Sequence, residues 1–386
     1  MLNRPNSPLI KLMDYYIKPE TPETDFLRIS KPEEIKLCDP ACGSGHMLTY
    51  SYDILYAIYE EEGYDANEIP RLILENNLFG IEIDERAGEL AAFALTMKAA
   101  KGNPKGDTSN SRRFFRKPVQ PNICILQNIL FEDGELKSYM DAVGRDLFTV
   151  NLQTMLHQFR EADNFGSLIR PEYADAASVL RKVEEKNLTS DLFLQNTHER
   201  VLLALKQADY LSPKYHVVVA NPPYMGNRSM NGRLQVFAKD CYPVSKSDLF
   251  AMFIERNIDL VRQQGLIAMI TMQSWMFLST YEDLRSKILN NDTILSMSHL
   301  GARAFDSIGG EVVSTTAFVI ENVRHLEYKG AYLRLTDGNS EFEKEQELKA
   351  KRENPYLAAT GDLKEPFSWL LGFVSSSAHP FFFLIH

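Results

Sequence analysis

Two kinds of hydrophobic pattern alternate along the chain. Short apolar runs rich in β-branched residues predict strands, and apolar residues at helical spacing predict helices. The predicted strands are Ile35–Asp39, Leu78–Ile83, Ile123–Leu126, Tyr215–Ala220, Gly265–Thr271 and Ser314–Glu321. The predicted helices are Met47–Tyr59, Ile69–Asn76, Arg86–Ala100, Ser247–Arg262 and Tyr281–Leu289. Such alternation is typical of an α/β fold, in which helices cover both faces of a mostly parallel, doubly wound sheet.

Two segments depart from this alternation. Residues 131–214 are predicted to be helices and loops, with ten Lys and Arg against fourteen Asp and Glu. This acidic helical insertion is a poor candidate for DNA recognition, and we expect it to support the core or to dock a partner. Residues 326–386 are mostly polar but end in apolar runs. We expect this extension to be truncated and the chain to be a fragment of a longer reading frame.

Composition and charge narrow the class of protein. A hydrophobic fraction of 44% with 24% charged residues is typical of a globular protein with a sizeable core. The net charge of -10 means that any DNA-binding face is local or lies outside this chain. The four cysteines lack paired-ligand spacing, so we expect reduced thiols, no metal site and a cytoplasmic location. Neither a secretory signal nor a membrane span is predicted, so no membrane partner is expected.

One basic segment stands out against the negative net charge. Residues 101–120 contain six basic residues and one acid, with Phe114 and Phe115 among them. This segment is either a solvated surface loop or a loop that contacts phosphates, and the sequence leaves both interpretations open.

The first motif with chemical content is Asp39-Pro-Ala-Cys-Gly-Ser-Gly-His46, which joins a predicted strand to a helix. Gly43 and Gly45 permit a tight turn and a close approach of the backbone to a ligand. Asp39 at the strand end suits a cationic amine better than a pyrophosphate. Glu82 and Asp84 follow about forty residues after Gly43, whereas a dinucleotide fingerprint has its acid after roughly 20. A carboxylate there would accept hydrogen bonds from a ribose diol.

The second motif is Asn221-Pro-Pro-Tyr224, directly after the predicted strand Tyr215–Ala220. Pro222 and Pro223 stiffen the backbone and remove two donors. The Asn221 amide oxygen and the Pro222 carbonyl would therefore form a rigid pair of acceptors. Such a pair localises the lone pair of an aryl amine and stabilises the positive charge that develops on its nitrogen. Tyr224 offers a flat face on which an extruded base can stack.

The ordered set of motifs resembles the adenine-specific DNA methyltransferases, in particular the PglX-type enzymes of BREX phage-defence systems. The set comprises Asp39–His46, Phe79-Gly-Ile-Glu-Ile-Asp84, Leu126-Gln-Asn128 and Asn221–Tyr224, and the resemblance covers about residues 30 to 325. It implies a seven-stranded S-adenosylmethionine-dependent methyltransferase sheet. The implied reaction is direct methyl transfer to adenine N6 of a base flipped out of double-stranded DNA, without a metal. The implied partners are DNA and other subunits of a phage-defence complex.

The resemblance also implies roles for individual residues. The cofactor would be bound by Asp39, Ala41, Gly43, Gly45, Glu82, Ile83 and Asn128. In that scheme Glu82 binds the ribose, Ile83 packs on the cofactor's adenine and Asn128 reads its amine, where the family usually has Asp. The target base would be held by Asn221, Pro222, Pro223 and Tyr224, with Phe305 as its second stacking partner.

The predicted organisation has five parts. Residues 1–34 are an N-terminal remnant, 35–130 the cofactor-binding half, 131–214 the helical insertion, 215–325 the catalytic half and 326–386 the truncated extension. A Thr-Pro or Ser-Pro segment normally precedes the first motif in the family, and here only Ser7-Pro8 is available. A specificity domain normally follows the catalytic half, so we expect this chain to bind cofactor but to methylate DNA poorly.

Two other functions stay open. A protein-glutamine methyltransferase also uses the Asn-Pro-Pro-Tyr motif, because an amide nitrogen needs the same two acceptors, but such enzymes lack the 101–120 segment and the helical insertion. A truncated, non-catalytic module that binds cofactor or partners is the other alternative.

Overall fold

A computed structural model describes residues 7, 9, 12–13, 15–17, 25–102, 114–144, 150–172, 175–186, 192–304 and 313–360. Nine strands are found in this part of the chain: β1 Leu37–Asp39, β2 Leu78–Glu82, β3 Asn122–Ile125, β4 Tyr215–Ala220, β5 Val261–Met272, β6 Thr293–Gly301, β7 Thr315–Glu321, β8 Lys329–Arg334 and β9 Tyr356–Ala359. They form a sheet in the order β3-β2-β1-β4-β5-β7-β6-β8-β9.

Twelve α-helices accompany the strands in the described ranges. They are α1 His46–Glu61, α2 Ile69–Asn76, α3 Glu85–Lys101, α4 Glu135–Val143, α5 Val150–Gln158, α6 Ala162–Phe165, α7 Ala176–Glu184, α8 Leu192–Tyr210, α9 Gly232–Cys241, α10 Leu249–Leu260, α11 Glu282–Asn291 and α12 Glu341–Lys351. The predicted α/β class is confirmed, and each predicted strand and helix is found with its ends shifted by at most four residues.

The sheet is larger than predicted, with nine strands instead of seven. The two additional strands, β8 and β9, come from residues 326–386, which the hydrophobic pattern predicts only as a polar extension. β8 pairs with β6 in parallel, and β9 pairs with β8 antiparallel. Both strands lie in a mostly polar stretch of sequence, and they form where a neighbouring strand edge offers backbone partners.

The chain divides into two compact units. The first unit contains residues 1–13 and 26–269, and the second contains residues 14–25 and 270–386. The boundary falls inside the predicted catalytic half, and the five-part division stays a prediction.

In the first unit the strands β1 to β5 pair in parallel, in the order β3-β2-β1-β4-β5. The core around α1, α2 and α3 is made of buried apolar side chains that include Leu48, Tyr52, Ile73 and Leu95. The chain order reverses between β1 and β4, since β1 leads to β2 on one side and β4 lies on the other. In open parallel sheets, ligands bind at such a switch point, beyond the carboxyl ends of the strands.

In the second unit β6 pairs antiparallel with β7 and in parallel with β8. Trp275 is fully buried there, and its indole ring lies edge-on against Phe318 with the ring centroids 5.1 Å apart. In the polar extension, α12 is capped by Ser340, whose side chain accepts a hydrogen bond from the backbone N–H of Glu343.

Candidate functional site

The two sequence motifs lie side by side at the carboxyl edge of the parallel sheet. β1 and β4 are neighbours in register, with Cys38 opposite Val218. Asp39 ends β1, and Asn221 follows the end of β4. On the other side of β1, Asp39 is opposite Gly80 of β2, whose last residue is Glu82. Neighbouring strands lie only about 5 Å apart, so the register brings both motifs and Glu82 to one site.

Asp39 is a buried carboxylate, with 2% of its surface exposed. It accepts a hydrogen bond of 3.1 Å from the backbone N–H of Ala41. Burial is the main reason that its pKa rises from 3.8 to about 7; the hydrogen bond lowers it, and the charge of Glu82 raises it further. Since a buried carboxylate ionises at a cost, a cation that binds beside Asp39 would recover part of that cost.

Glu82 is held by three backbone donors. Its Oε2 accepts from Gly43 at 2.7 Å, and its Oε1 accepts from Ile83 at 2.9 Å and Asp84 at 3.0 Å. A carboxylate has about four acceptor positions, so Oε2 keeps one for a ligand while the side chain stays oriented. The bond to Gly43 also ties the turn of the first motif to the end of β2.

Gly45 is needed for the packing of that turn. Its φ is 85°, which favours glycine, and an added Cβ would lie 3.0 Å from the Cβ of Ala91 on α3. The turn therefore rests directly on α3, and it leads into α1, the helix that the sequence predicts after the motif.

A segment of the helical insertion lies against the first motif and against two of the predicted cofactor residues, Ile83 and Asn128. The Ser167 hydroxyl donates to the Pro40 carbonyl oxygen within the Asp39–His46 motif. A Cβ on Gly166, whose φ is 56°, would lie 3.1 Å from Cγ2 of Ile83. The backbone N–H of Asp163 donates to Oδ1 of Asn128 at 3.1 Å. The sequence reasoning missed this segment, whose one local signal is Gly166-Ser167 between the apolar Phe165 and Leu168.

Arg256 of α10 holds the same segment in position. The side chain is 2% exposed and donates to the backbone carbonyl oxygens of Ser167, Ile169 and Leu211 at 2.6–2.9 Å. A buried guanidinium is stabilised by satisfying several acceptors at once, so the segment is anchored to α10. Sequence reasoning missed this residue too, because it lies in an otherwise ordinary helix.

The Asn221–Tyr224 motif presents a polar group beside a held aromatic ring. Asn221 is exposed and Pro222 is buried. The half-buried ring of Tyr224 lies edge-on to Phe250, with the ring centroids 6.1 Å apart, and its hydroxyl donates to Oδ1 of Asn221 at 3.4 Å. Burial raises the pKa of Tyr224 to about 12, so the hydroxyl stays protonated near neutral pH. The motif's amide and ring are therefore positioned by the core of the first unit.

The chain after the motif is fixed by Asp248. The Asp248 carboxylate accepts from the backbone N–H of Met225 at 3.0 Å and from that of Phe250 at 3.3 Å, where it caps α10. The Met225 carbonyl oxygen accepts in turn from Leu249 at 3.1 Å. The same carboxylate thus orients both the end of the motif and the start of the helix that carries Phe250 and Arg256.

Two further predictions concern residues that are partly or wholly outside the described ranges. Phe305, the predicted second stacking partner, lies outside the described residues. Residues 103–113, which belong to the basic segment 101–120, also lie outside them. Phe114 packs against the core around α1 to α3, whereas Phe115 is 52% exposed. The described part of the segment therefore leaves its two interpretations open.

Within the described residues, no group of three or more His, Cys, Asp or Glu could hold a metal ion. Cys38, Cys42 and Cys124 are buried free thiols, and Cys241 is an exposed one. None of the helices in the described ranges is both long and apolar enough to cross a membrane.

Comparison with known proteins shows the family. The family model described as Eco57I restriction-modification methylase matches residues 76–305, more than half of the chain. The chain is 41% identical over 372 residues to the adenine-specific methyltransferase BrxX of Escherichia coli O9:H4 (strain HS). The aligned region covers 88% of this chain and 30% of BrxX. The chain is 38% identical over 355 residues to the adenine-specific methyltransferase PglX of Lacticaseibacillus casei (strain Zhang), with 89% of this chain and 28% of PglX covered.

The chain therefore spans less than a third of the length of these two relatives. Among solved structures, the fold is similar to that of the ATP-dependent Type ISP restriction-modification enzyme LlaBIII bound to DNA, with a TM-score of 0.50 and 14% identity. That similarity covers 90% of this chain and 21% of the LlaBIII chain.

Proposed function

The chain belongs to the Eco57I restriction-modification methylase family, and we propose that it transfers a methyl group from S-adenosylmethionine to N6 of adenine in DNA. The observation that carries the proposal is the pairing of β1 with β4, which puts Asn221-Pro-Pro-Tyr224 beside the Asp39 turn. A cofactor site and an amine-binding motif at one switch point are what a direct transfer requires.

The residues around Asp39 fit S-adenosylmethionine, which supplies an electrophilic methyl group when bound. The buried Asp39 carboxylate would pair with the cofactor's ammonium, and the free acceptor position of Glu82 would bind the ribose diol. Ile83 is 46% exposed and would pack on the cofactor's adenine. Ala41, Gly43 and Gly45 would line the methionine part, and Asn128 would contact the adenine edge.

Asn221 and its neighbours would hold the target amine. Asn221 Oδ1 and the Pro222 carbonyl oxygen would accept hydrogen bonds from the two N6–H groups. These hydrogen bonds would localise the lone pair on N6 and stabilise the positive charge that develops on that nitrogen. Pro223 stiffens this pair of acceptors, and the Tyr224 ring would stack on the base. In this scheme Phe305 is the second stacking partner. A base in a duplex must be flipped out to reach these groups.

The biological setting belongs to the same proposal. A methyltransferase of this kind would mark host DNA in a phage-defence or restriction-modification system in the cytoplasm. Double-stranded DNA would be its substrate, and other subunits of the defence complex would be its partners. The family description, restriction-modification methylase, supports this setting, and the names of the two curated relatives, both adenine-specific methyltransferases, support the reaction.

A transfer assay tests the proposal. The 386-residue chain, in excess over DNA, is incubated with tritiated S-adenosylmethionine, and the nucleosides are separated after digestion. We expect N6-methyladenine in the wild-type reaction and at least about 100-fold less with Asn221→Ala. Label in protein glutamine instead of DNA would support the alternative substrate class. Cofactor binding without transfer to DNA or protein would support a non-catalytic module.

A further inference from the structure

An open groove of about 760 Å³ begins directly after the Asn221–Tyr224 motif. One wall is the segment Gly226–Ser229, and a second is the face of α9 that carries Gly232, Gln235, Val236 and Lys239. The third is the pair Lys246-Ser247, which precedes α10. The sequence motifs do not predict this groove, because its walls come from three stretches of chain that are separate in sequence.

The groove is basic although the chain carries a net charge of -10. Arg228, Lys239 and Lys246 line it and are exposed, and the described residues of the lining include no carboxylate. By contrast, Arg233, which follows the first residue of α9, forms an ion pair with Glu161. Three cations on one concave surface create a local positive field that attracts phosphate in spite of the net charge.

Backbone and hydroxyl groups complete a surface suited to phosphate. Ser229 and Ser247 line the groove, and α9 begins inside it at Gly232. A Cβ added to Gly232 would meet nothing within 4 Å, so there is open space at the helix N-terminus. The positive end of a helix dipole and hydroxyl donors both favour phosphate oxygens.

The groove lies within one or two nucleotides of the proposed base site. Gly226 is two residues after Tyr224, so their Cα atoms are at most about 7 Å apart. The wall is fixed by a hydrogen bond of 2.9 Å from the Asn227 N–H to the Ser247 carbonyl oxygen and by a bridge between Gly226 and Asp248. Each strand of B-DNA carries a charge about every 3.4 Å of axis, so the nearest phosphates belong to the nucleotides beside the extruded base.

We propose that this groove binds the DNA backbone on the strand that carries the target adenine, at the phosphates flanking that base. The inference rests on the proposed function, because it takes the occupant of the Asn221–Tyr224 site to be an adenine. The groove would hold the sugar-phosphate chain while Tyr224 stacks on the base, and its cations would contribute affinity without reading sequence.

A triple variant, R228Q/K239Q/K246Q, tests the groove by DNA binding. Fluorescence anisotropy is measured for the full chain with a labelled duplex that carries one unpaired adenine, across a salt series. The matched control, K137Q/K182Q/K186Q, removes three exposed charges from other parts of the first unit. Each phosphate contact contributes about 0.9 to the slope of log affinity against log salt, so the triple variant should lose about 2.7 of that slope. When salt is raised from about 50 to 200 mM, the affinity of the triple variant for DNA should therefore fall by a factor roughly 40 times smaller than that of wild type.

Neutral phosphates locate the contact. Uncharged methylphosphonates replace the phosphates beside the unpaired adenine or, in a second duplex, phosphates near its ends. Flanking replacement should weaken binding by wild type and control but not by the triple variant, and all three proteins should bind S-adenosylmethionine equally well.

Three results would overturn the groove proposal: no binding by the wild-type chain at low salt, an unchanged salt slope in the triple variant, or equal effects of flanking and distant replacement. Methyl transfer is measured on the same samples. If wild type methylates DNA while the triple variant binds as wild type does, the proposed function stands and the groove proposal falls. Groove-dependent binding at the unpaired adenine without transfer would support the groove and contradict the methyltransferase activity.

Discussion

The substitution Asp39→Asn tests the proposed contact between this side chain and the ammonium group of S-adenosylmethionine. Burial is the main reason that the pKa of Asp39 lies at about 7 in the folded chain. A cationic amine pairs with the ionised carboxylate only. Cofactor affinity should therefore follow the ionised fraction of Asp39, and the Asn variant should lose this dependence because it cannot ionise.

The expected magnitude follows from that pKa. With a value of about 7, the ionised fraction rises from about 9% at pH 6.0 to about 50% at pH 7.0, so wild-type affinity should rise about fivefold. In the same range the cofactor's amine stays mostly protonated, since an α-amino group has a pKa of about 7.7–8.0. Losing a hydrogen bond to a charged group costs about 1.5–3 kcal/mol, so Asp39→Asn should weaken binding roughly 10- to 150-fold at pH 7.0.

Calorimetric titration of both proteins between pH 6.0 and pH 7.0, at constant ionic strength, measures these affinities. Asp39→Glu serves as a control that keeps the charge but moves it by one methylene. A wild-type affinity that does not change with pH, or an Asn variant with the wild-type pH dependence, would refute the assignment of Asp39 as the ammonium partner.

The same substitution should have the opposite effect on stability. The folded pKa of Asp39 lies above its ordinary value of 3.8, so the native state favours the protonated form. Protonated Asp39 therefore contributes to the free energy of unfolding. This contribution is fully present below about pH 4 and is lost as the pH rises through about 7, and its size is on the order of 4 kcal/mol. In urea unfolding without cofactor, Asp39→Asn should therefore be more stable than wild type at pH 8, and the difference should shrink toward pH 5. A difference that grows toward pH 5 would show that the carboxylate is stabilised when ionised.

Three further substitutions have definite expected outcomes. Asn221→Ala should keep cofactor affinity and lose methyl transfer by two or more orders of magnitude; a near wild-type rate of tritium transfer would exclude the two-acceptor mechanism. Gly166→Ala should weaken cofactor binding in calorimetry, since the new Cβ would lie 3.1 Å from Cγ2 of Ile83. The control Gly63→Ala also has a positive φ but open space around the new Cβ, so it should lower stability without changing cofactor affinity. Equal cofactor affinities in the two variants would contradict a role of the contact between residue 166 and Ile83. Arg256→Met leaves three buried carbonyl groups without their donor and should lower the free energy of unfolding by about 3 kcal/mol or more; a change below about 1 kcal/mol in urea unfolding would show that other donors or water replace it.

The features that the sequence alone determined are local in the chain. The hydrophobic period of Tyr215–Ala220 and the helical spacing in Met47–Tyr59 are encoded within single elements, so the α/β class followed from them. The motifs Asp39–His46 and Asn221–Tyr224 are contiguous and follow strands. Because parallel strands present their carboxyl ends at one edge, their meeting was predictable once the sheet was predicted parallel.

The tertiary structure decided what depends on contacts between distant residues. Ser167 reaches Pro40 across 127 positions of sequence, and Arg256 reaches back to the same segment across 89. β8 and β9 are strands because β6 offers a partner edge, and the basic groove exists because Arg228, Lys239 and Lys246 converge from three segments. Periodicity records which face of an element is buried but not which distant element covers it. Such contacts therefore required the folded chain, whereas the fold class and the two motifs did not.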